Sequence, residues 1–181
     1  MANAGVTANQ VTVLALLLSF LTGAVVWVFD AAKWTLFLIP VILFIRMALN
    51  AIDGMLAREH NMKTALGAIL NELGDVASDT ALYLPFAVIP GMPKVLVVLA
   101  VILAILSEMT GAIAVQIGAQ RRYDGPMGKS DRAFVFGILA LLLALGIPTG
   151  RWLLFVFGAV LALLALTVAN RIRRALGDIK Q

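Results

Sequence analysis

The stretch "NAIDGMLAREHNMKTALGAILNELGDVASD", residues 50–79, places Asp53, Glu72, Asp75 and Asp79 with Asn50, Asn71 and Arg58 inside an otherwise apolar sequence. Arg46, Asn50, Asp53 and Ala57 recur at i, i+4, i+7 and i+11, so they share one face of a helix. Gly67, Asn71, Asp75 and Asp79 recur at i, i+4, i+8 and i+12, again on one face. A hairpin would set the two faces against each other and concentrate carboxylates, which suits a hard divalent cation such as Mg2+ or Ca2+. A glycine on such a face lets a ligand or another backbone approach closely. Taken singly, each residue has a plainer reading. An Asn within a span is interhelical glue, Arg58 anchors a helix end, Asp53-Gly54 forms a turn, and Glu108 pairs with Arg46. Ionisable groups in apolar spans are nonetheless expensive and point by default to function.

The elements that must carry these residues are membrane spans. Of 181 residues, 62% are hydrophobic and 13% charged, against about half and a quarter in a soluble domain. The net charge of +4 needs no nucleic acid to explain it. Basic loops facing the cytoplasm produce the same excess. With no cysteine, disulfides and thiolate metal sites are excluded. No Lys or Arg precedes Lys33, so residues 1–29 lack the basic start of a cleaved signal peptide and read as a retained first span.

A spanning helix needs about 20 mostly apolar residues. Segments 10–29, 133–150 and 152–170 carry no charge, and 95–120 carries only Glu108; 34–58 and 64–89 are long enough but interrupted by charge. Turn signals separate them at Asp30, "HNMK" 60–63, "PGMPK" 90–94, "YDGPMGKSD" 123–131 and "GIPTGR" 146–151. The expectation is an all-α polytopic membrane protein of six transmembrane helices, one domain over 1–181. Arg58, Lys63, Arg121, Arg122, Lys129, Arg132, Arg171, Arg173, Arg174 and Lys180 fall on one side, and Lys33, Lys94 and Arg151 on the other. That bias puts both termini, and the 59–63 turn of the candidate site, in the cytoplasm.

The string D53-G54-x-x-A57-R58, eight residues, then G67-x-x-x-N71-x-x-x-D75 resembles the signature of the CDP-alcohol phosphatidyltransferase family, D-x-x-D-G-x-x-A-R, eight residues, G-x-x-x-D-x-x-x-D. "TANQVT" at 7–12 is similar to the family's Thr-Pro-Asn-x-x-Thr, without the proline. The likeness covers essentially the whole chain. It implies transfer of a phosphatidyl or similar phosphoryl-alcohol group from CDP-diacylglycerol or another CDP-lipid to a small alcohol, with release of CMP, in phospholipid biosynthesis. It also implies a divalent metal (Mg2+ or Mn2+), a homodimer, and a setting in the bacterial inner membrane with the site facing the cytoplasm. Carried over by position, Asp53 and Asp75 become metal ligands and catalytic carboxylates, with Asp75 the candidate base. Gly54, Ala57, Arg58 and Gly67 then hold the CDP donor.

Asn50 and Asn71 stand where the signature has aspartates. Their carbonyl oxygens can still ligate, without charge. Three accounts remain open: a single or weaker metal, recruitment of Asp79 and Glu72 to restore the charge, or a catalytically degenerate member that binds a lipid nucleotide. Arg46 would repel a metal or itself hold a phosphate. In the loop "QRRYDGPMGKSDR", 120–132, Arg121, Arg122, Lys129 and Arg132 either anchor the chain or form a rim for a phosphorylated acceptor or lipid headgroup. A small ion-coupled transporter is the reading from another class. It predicts matching broken helices in two halves, and only Pro40 near mid-span offers a break.

Overall fold

A computed structural model describes residues 5–60 and 62–179. Asn61 of the "HNMK" turn and the basic Lys180 lie outside the described residues. Among the described residues the regular structure is helical, in six long helices: α1 (Ala8–Val28), α2 (Leu38–Glu59), α3 (Ala65–Tyr83), α4 (Lys94–Gln116), α5 (Lys129–Ala144) and α6 (Trp152–Ile179). A single turn, Lys33–Leu36, precedes α2, and a 3-10 segment, Leu84–Val88, follows α3.

Four of these helices are long and apolar enough to cross a membrane: α1, α2 with its preceding turn, α4 and α6. Leu17, Leu21, Phe44 and Phe155 project outward and are mostly exposed, as lipid-facing side chains are, since no water drives them inward. The 16 residues of α5 reach only about 24 Å.

The ends are set by local chemistry. Thr7 caps α1 reciprocally with Gln10: its hydroxyl accepts from the Gln10 N–H at 3.3 Å, and the Gln10 side chain accepts from the Thr7 N–H at 2.9 Å. Thr64 caps α3 by accepting from the Gly67 N–H at 2.9 Å. Pro40 falls in the first turn of α2, where its missing N–H costs nothing. It therefore does not break a span at its middle. The fifth helix starts at Lys129, four residues before the apolar segment 133–150, because Asp131 accepts from the Gly128 N–H at 2.9 Å and caps it. Lys129 and Arg132 thus belong to a helix and not to a loop. The C-terminal basic segment continues α6 to Ile179.

α1 packs on α2 and α3, α2 on α5, and α4 on α6. At Gly23 the α1 backbone lies against the Ala81 carbonyl of α3, so any Cβ there would collide with main chain. The apolar core runs through all six helices and includes the stacked Tyr83 and Phe136 rings, 4.0 Å apart, with Phe86 and Phe157 edge-on to Phe136. The start of α1, the 60–64 turn, the 117–128 loop and the end of α6 gather at one end of the bundle, tied by Asn9–Thr64, Thr12–Asp53 and Arg174–Asp124. The other turns meet at the opposite end, where Thr149 donates to the Pro90 carbonyl at 3.0 Å.

Candidate active site

At the charged end, α1, α2 and α3 surround a cavity of about 600 Å3. Asn9 and Thr12 line it from α1, and Asn50, Asp53, Gly54, Ala57 and Arg58 from α2. Lys63, Thr64, Gly67 and Asn71 close the far wall, with Tyr123 arriving from the 117–128 loop. The hairpin expected from spacing therefore brings the two polar faces together. The glycines keep the space open. A Cβ on Gly67 would lie 2.6 Å from Asn9 Oδ1 and 3.0 Å from Thr64 Oγ1, and the Gly54 carbonyl accepts from Arg58 Nε at 3.1 Å.

Asp53 is buried, with a neutral partner: Thr12 Oγ1 donates to its Oδ2 at 2.8 Å. Among the described residues no cationic side chain pairs with it. Asp75 has the opposite surroundings. Lys129 Nζ donates to its Oδ1, Asn50 Nδ2 lies 3.5 Å from the same oxygen, and Arg46 Nη2 lies 3.6 Å away. Arg46 also donates to the Asp75 backbone carbonyl at 3.0 Å.

Asp79 and Glu72 do not line this cavity, which weighs against the account in which they restore the missing charge. Arg46 Nη1 donates to Asp79 Oδ1 at 2.5 Å, and Arg132 Nε and Nη2 donate to Oδ2 at 3.1 and 2.9 Å. Asp79 is buried and fully committed. Glu72 accepts two bonds from Arg121, each 2.8 Å. Glu108 pairs with Arg132 at 2.9 Å, Arg121 at 3.1 Å and Arg171 at 3.4 Å, and not with Arg46. Apart from Asp53, each charge taken out of water here meets an opposite one, as burial of ions demands.

The same network redraws the basic rim. Arg132 is buried at 1% exposure between Asp79 and Glu108. Arg121 bridges Glu72 and Glu108; burial opposes its charge, but the bonds and charges of Glu72 and Glu108 outweigh that and hold its pKa above the ordinary arginine value. Arg122 pairs with Asp178 and Asp124. Only Lys129 points at the candidate carboxylates. The arginines of the expected rim are therefore not free cations.

Two features were not singled out from the sequence. Thr12 closes "TANQVT", and its role on Asp53 becomes visible only once α1 is docked on α2. Tyr123 borders the cavity with the Arg121 guanidinium 4.7 Å over its ring. A small cavity of about 140 Å3, lined by Arg46, Asn50 and Lys129, adjoins the charged one at Asn50. Through Leu43, Met47, Ser130 and Ala133 it continues into an apolar groove of about 480 Å3 between α2 and α5. The small cavity thus borders both a polar chamber and an apolar trough.

For a metal, the donor set is decisive. The oxygens of Asp53, Asp75, Asn50 and Asn71 suit one hard cation. Among the described residues no three His, Cys, Asp or Glu side chains form a metal-binding group.

The family model for CDP-alcohol phosphatidyltransferases matches residues 5–170. The chain is 50% identical over 172 residues to inner membrane protein YnbA of Escherichia coli (strain K12), covering 94% of this chain and 85% of that one. Its fold is similar to that of Mycobacterium tuberculosis phosphatidylinositol phosphate synthase (PgsA1) in complex with manganese and citrate. That match has a TM-score of 0.80 at 18% identity over 97% of this chain and 85% of that one. The same enzyme with CDP-DAG bound gives a TM-score of 0.79 at 16% identity, over 96% and 88% of the two chains. With its signature hairpin lining one chamber and the family match running across nearly its whole length, this membrane protein belongs to the CDP-alcohol phosphatidyltransferase family.

Proposed function

We propose that the chain, acting as one domain of six transmembrane helices, transfers a phosphatidyl or similar phosphoryl-alcohol group from a CDP-linked lipid to a small alcohol and releases CMP. One observation carries this reading: Asn50, Asp53, Gly54, Ala57, Arg58, Gly67 and Asn71 of the signature line a polar chamber, and a small cavity that shares Asn50 with it borders an apolar groove. An amphiphile with a nucleotide head and acyl tails has that shape. PgsA1 with CDP-DAG bound, a protein of the same fold, supports the donor class.

The acceptor hydroxyl oxygen bonds to the phosphorus that carries the lipid, and the bond from that phosphorus to the bridging diphosphate oxygen breaks. CMP leaves with that oxygen, and the hydroxyl proton passes to the Asp75 carboxylate. Asp53 and Asp75, with the Asn50 and Asn71 oxygens, would hold a divalent cation, whose charge stabilises the diphosphate and the leaving CMP. Thr12 fixes the Asp53 carboxylate, Arg46 fixes the Asp75 backbone, and Gly54 and Gly67 leave room for the nucleotide. Catalysis is then positioning and charge compensation. The Lys and Arg bias supports a cytoplasmic setting for this end, and the name of the YnbA relative supports an inner membrane. A homodimer belongs to the same proposal.

Asn50 and Asn71 favour a second reading, a member that binds the lipid nucleotide without turning it over. Purified protein given CDP-diacylglycerol, Mg2+ or Mn2+ and a panel of alcohols decides between them. Metal-dependent CMP and a new lipid support transfer, and saturable CDP-lipid binding without CMP supports the second reading.

A further inference from the structure

We propose that the Lys129 ammonium is a fixed cation of this site, so that the reaction uses one exchangeable divalent ion per chain together with one lysine. The proposal rests on the transferase reading above. Its basis is the arrangement around Asp75. Lys129 Nζ, Asn50 Nδ2 and Arg46 Nη2 converge on one oxygen, Oδ1, leaving Asp53 and the other Asp75 oxygen for a metal.

Charge is compatible with the same count. Glu72, Asp79 and Glu108 are each held by arginines, which leaves Asp53 in the chamber wall and Asp75 on Lys129. One dication and one ammonium against these two leave a single positive charge directed at the diphosphate. Arg46 is ill placed for the task. Its guanidinium is buried and occupied by Asp79 and the Asp75 carbonyl. Lys129 enters from the first residue of α5, keeps a side chain 30% exposed, and borders the small cavity that joins the charged chamber at Asn50. A flexible stem carrying a point charge can follow a phosphate from ground state to product.

The test counts Mn2+ per chain by electron paramagnetic resonance, on the full chain in detergent with CDP present. The wild type is expected to bind one ion. The triple variant Lys129→Met, Asn50→Asp, Asn71→Asp, which exchanges the ammonium for two carboxylates, is expected to bind two. Lys129→Met alone should lose about tenfold or more in CMP release, while Mn2+ binds no more weakly because an Asp75 oxygen is freed. Lys129→Arg should keep part of the turnover. A merely structural clasp between α3 and α5 would weaken metal binding and turnover together in Lys129→Met, and that result overturns the proposal. So does a wild type that binds two ions. A protein that turns over no CDP-linked donor, yet shows one ion in the wild type and two in the triple variant, sinks the transferase reading and supports the lysine.

Discussion

Arg46 on α2 and Asp79 on α3 meet at 2.5 Å inside the bundle, both almost fully buried. Arg132 from α5 takes the second Asp79 oxygen at 2.9 Å, so one carboxylate ties three helices. The pair also aims Arg46 Nη2 at the Asp75 carbonyl. Asp79 is thus a girder beneath the site, and its charge is unavailable to a metal.

Asp79→Asn should therefore act on stability. Removing one partner of a buried ion pair leaves uncompensated charge and costs about 3–5 kcal/mol, here with Arg46 left to Asp75 and Arg132 left to Glu108. Thermal unfolding in detergent should show a much lower Tm. A variant as stable as wild type that no longer bound Mn2+ would return Asp79 to the ligand set.

Glu72→Gln should be mild. Its pairing with Arg121 is partly exposed, with side chains 37% and 16% accessible, and such pairs are worth about 0–1 kcal/mol. The Mn2+ concentration for half-maximal CMP release should stay within about twofold of wild type. A sharp rise, reversed by Asn71→Asp in the same chain, would revive the recruitment of Glu72 by the metal.

Arg122→Ala separates the two readings of the basic segment. Because Asp178 and Asp124 already occupy this guanidinium, the acceptor KM should stay within about twofold. A KM raised about tenfold or more, with the CDP-lipid KM unchanged, would show that Arg122 leaves its partners to hold an acceptor phosphate.

Gly111→Ala should loosen the loop that carries Arg121 and Tyr123. A Cβ there would run into the Arg121 guanidinium and the Arg122 carbonyl, and the Arg122 N–H donates to the Gly111 carbonyl at 3.2 Å. Main chain cannot retreat cheaply, so Tm should fall and the KM for the CDP-lipid should rise. A variant matching wild type in both would mean that the loop is not held there.

The spacing of Asp53, Gly54, Arg58, Gly67 and Asp75 made the hairpin and its chamber legible in the sequence, because helical periodicity alone decides which side chains share a face. The partners of those side chains were not legible. Lys129 reaches Asp75 across 54 positions and Arg132 reaches Asp79 across 53, and no local pattern encodes such pairs. Charged residues within 120–132 read equally well as a solvated rim, since composition does not distinguish an arginine facing water from one closing on Glu108. Pro40 misled for a similar reason. Its effect depends on where the helix begins, and the break at Phe37 is set by the turn before α2.

CMP release from CDP-diacylglycerol, compared among wild type, Asp53→Asn and Asp75→Asn, tests the central claim most directly. The account predicts metal-dependent release by the wild type and a loss of about a hundredfold or more in each variant, since a carboxamide neither balances a dication nor accepts the acceptor proton. Near-full turnover by either variant at saturating Mg2+ or Mn2+ would contradict it.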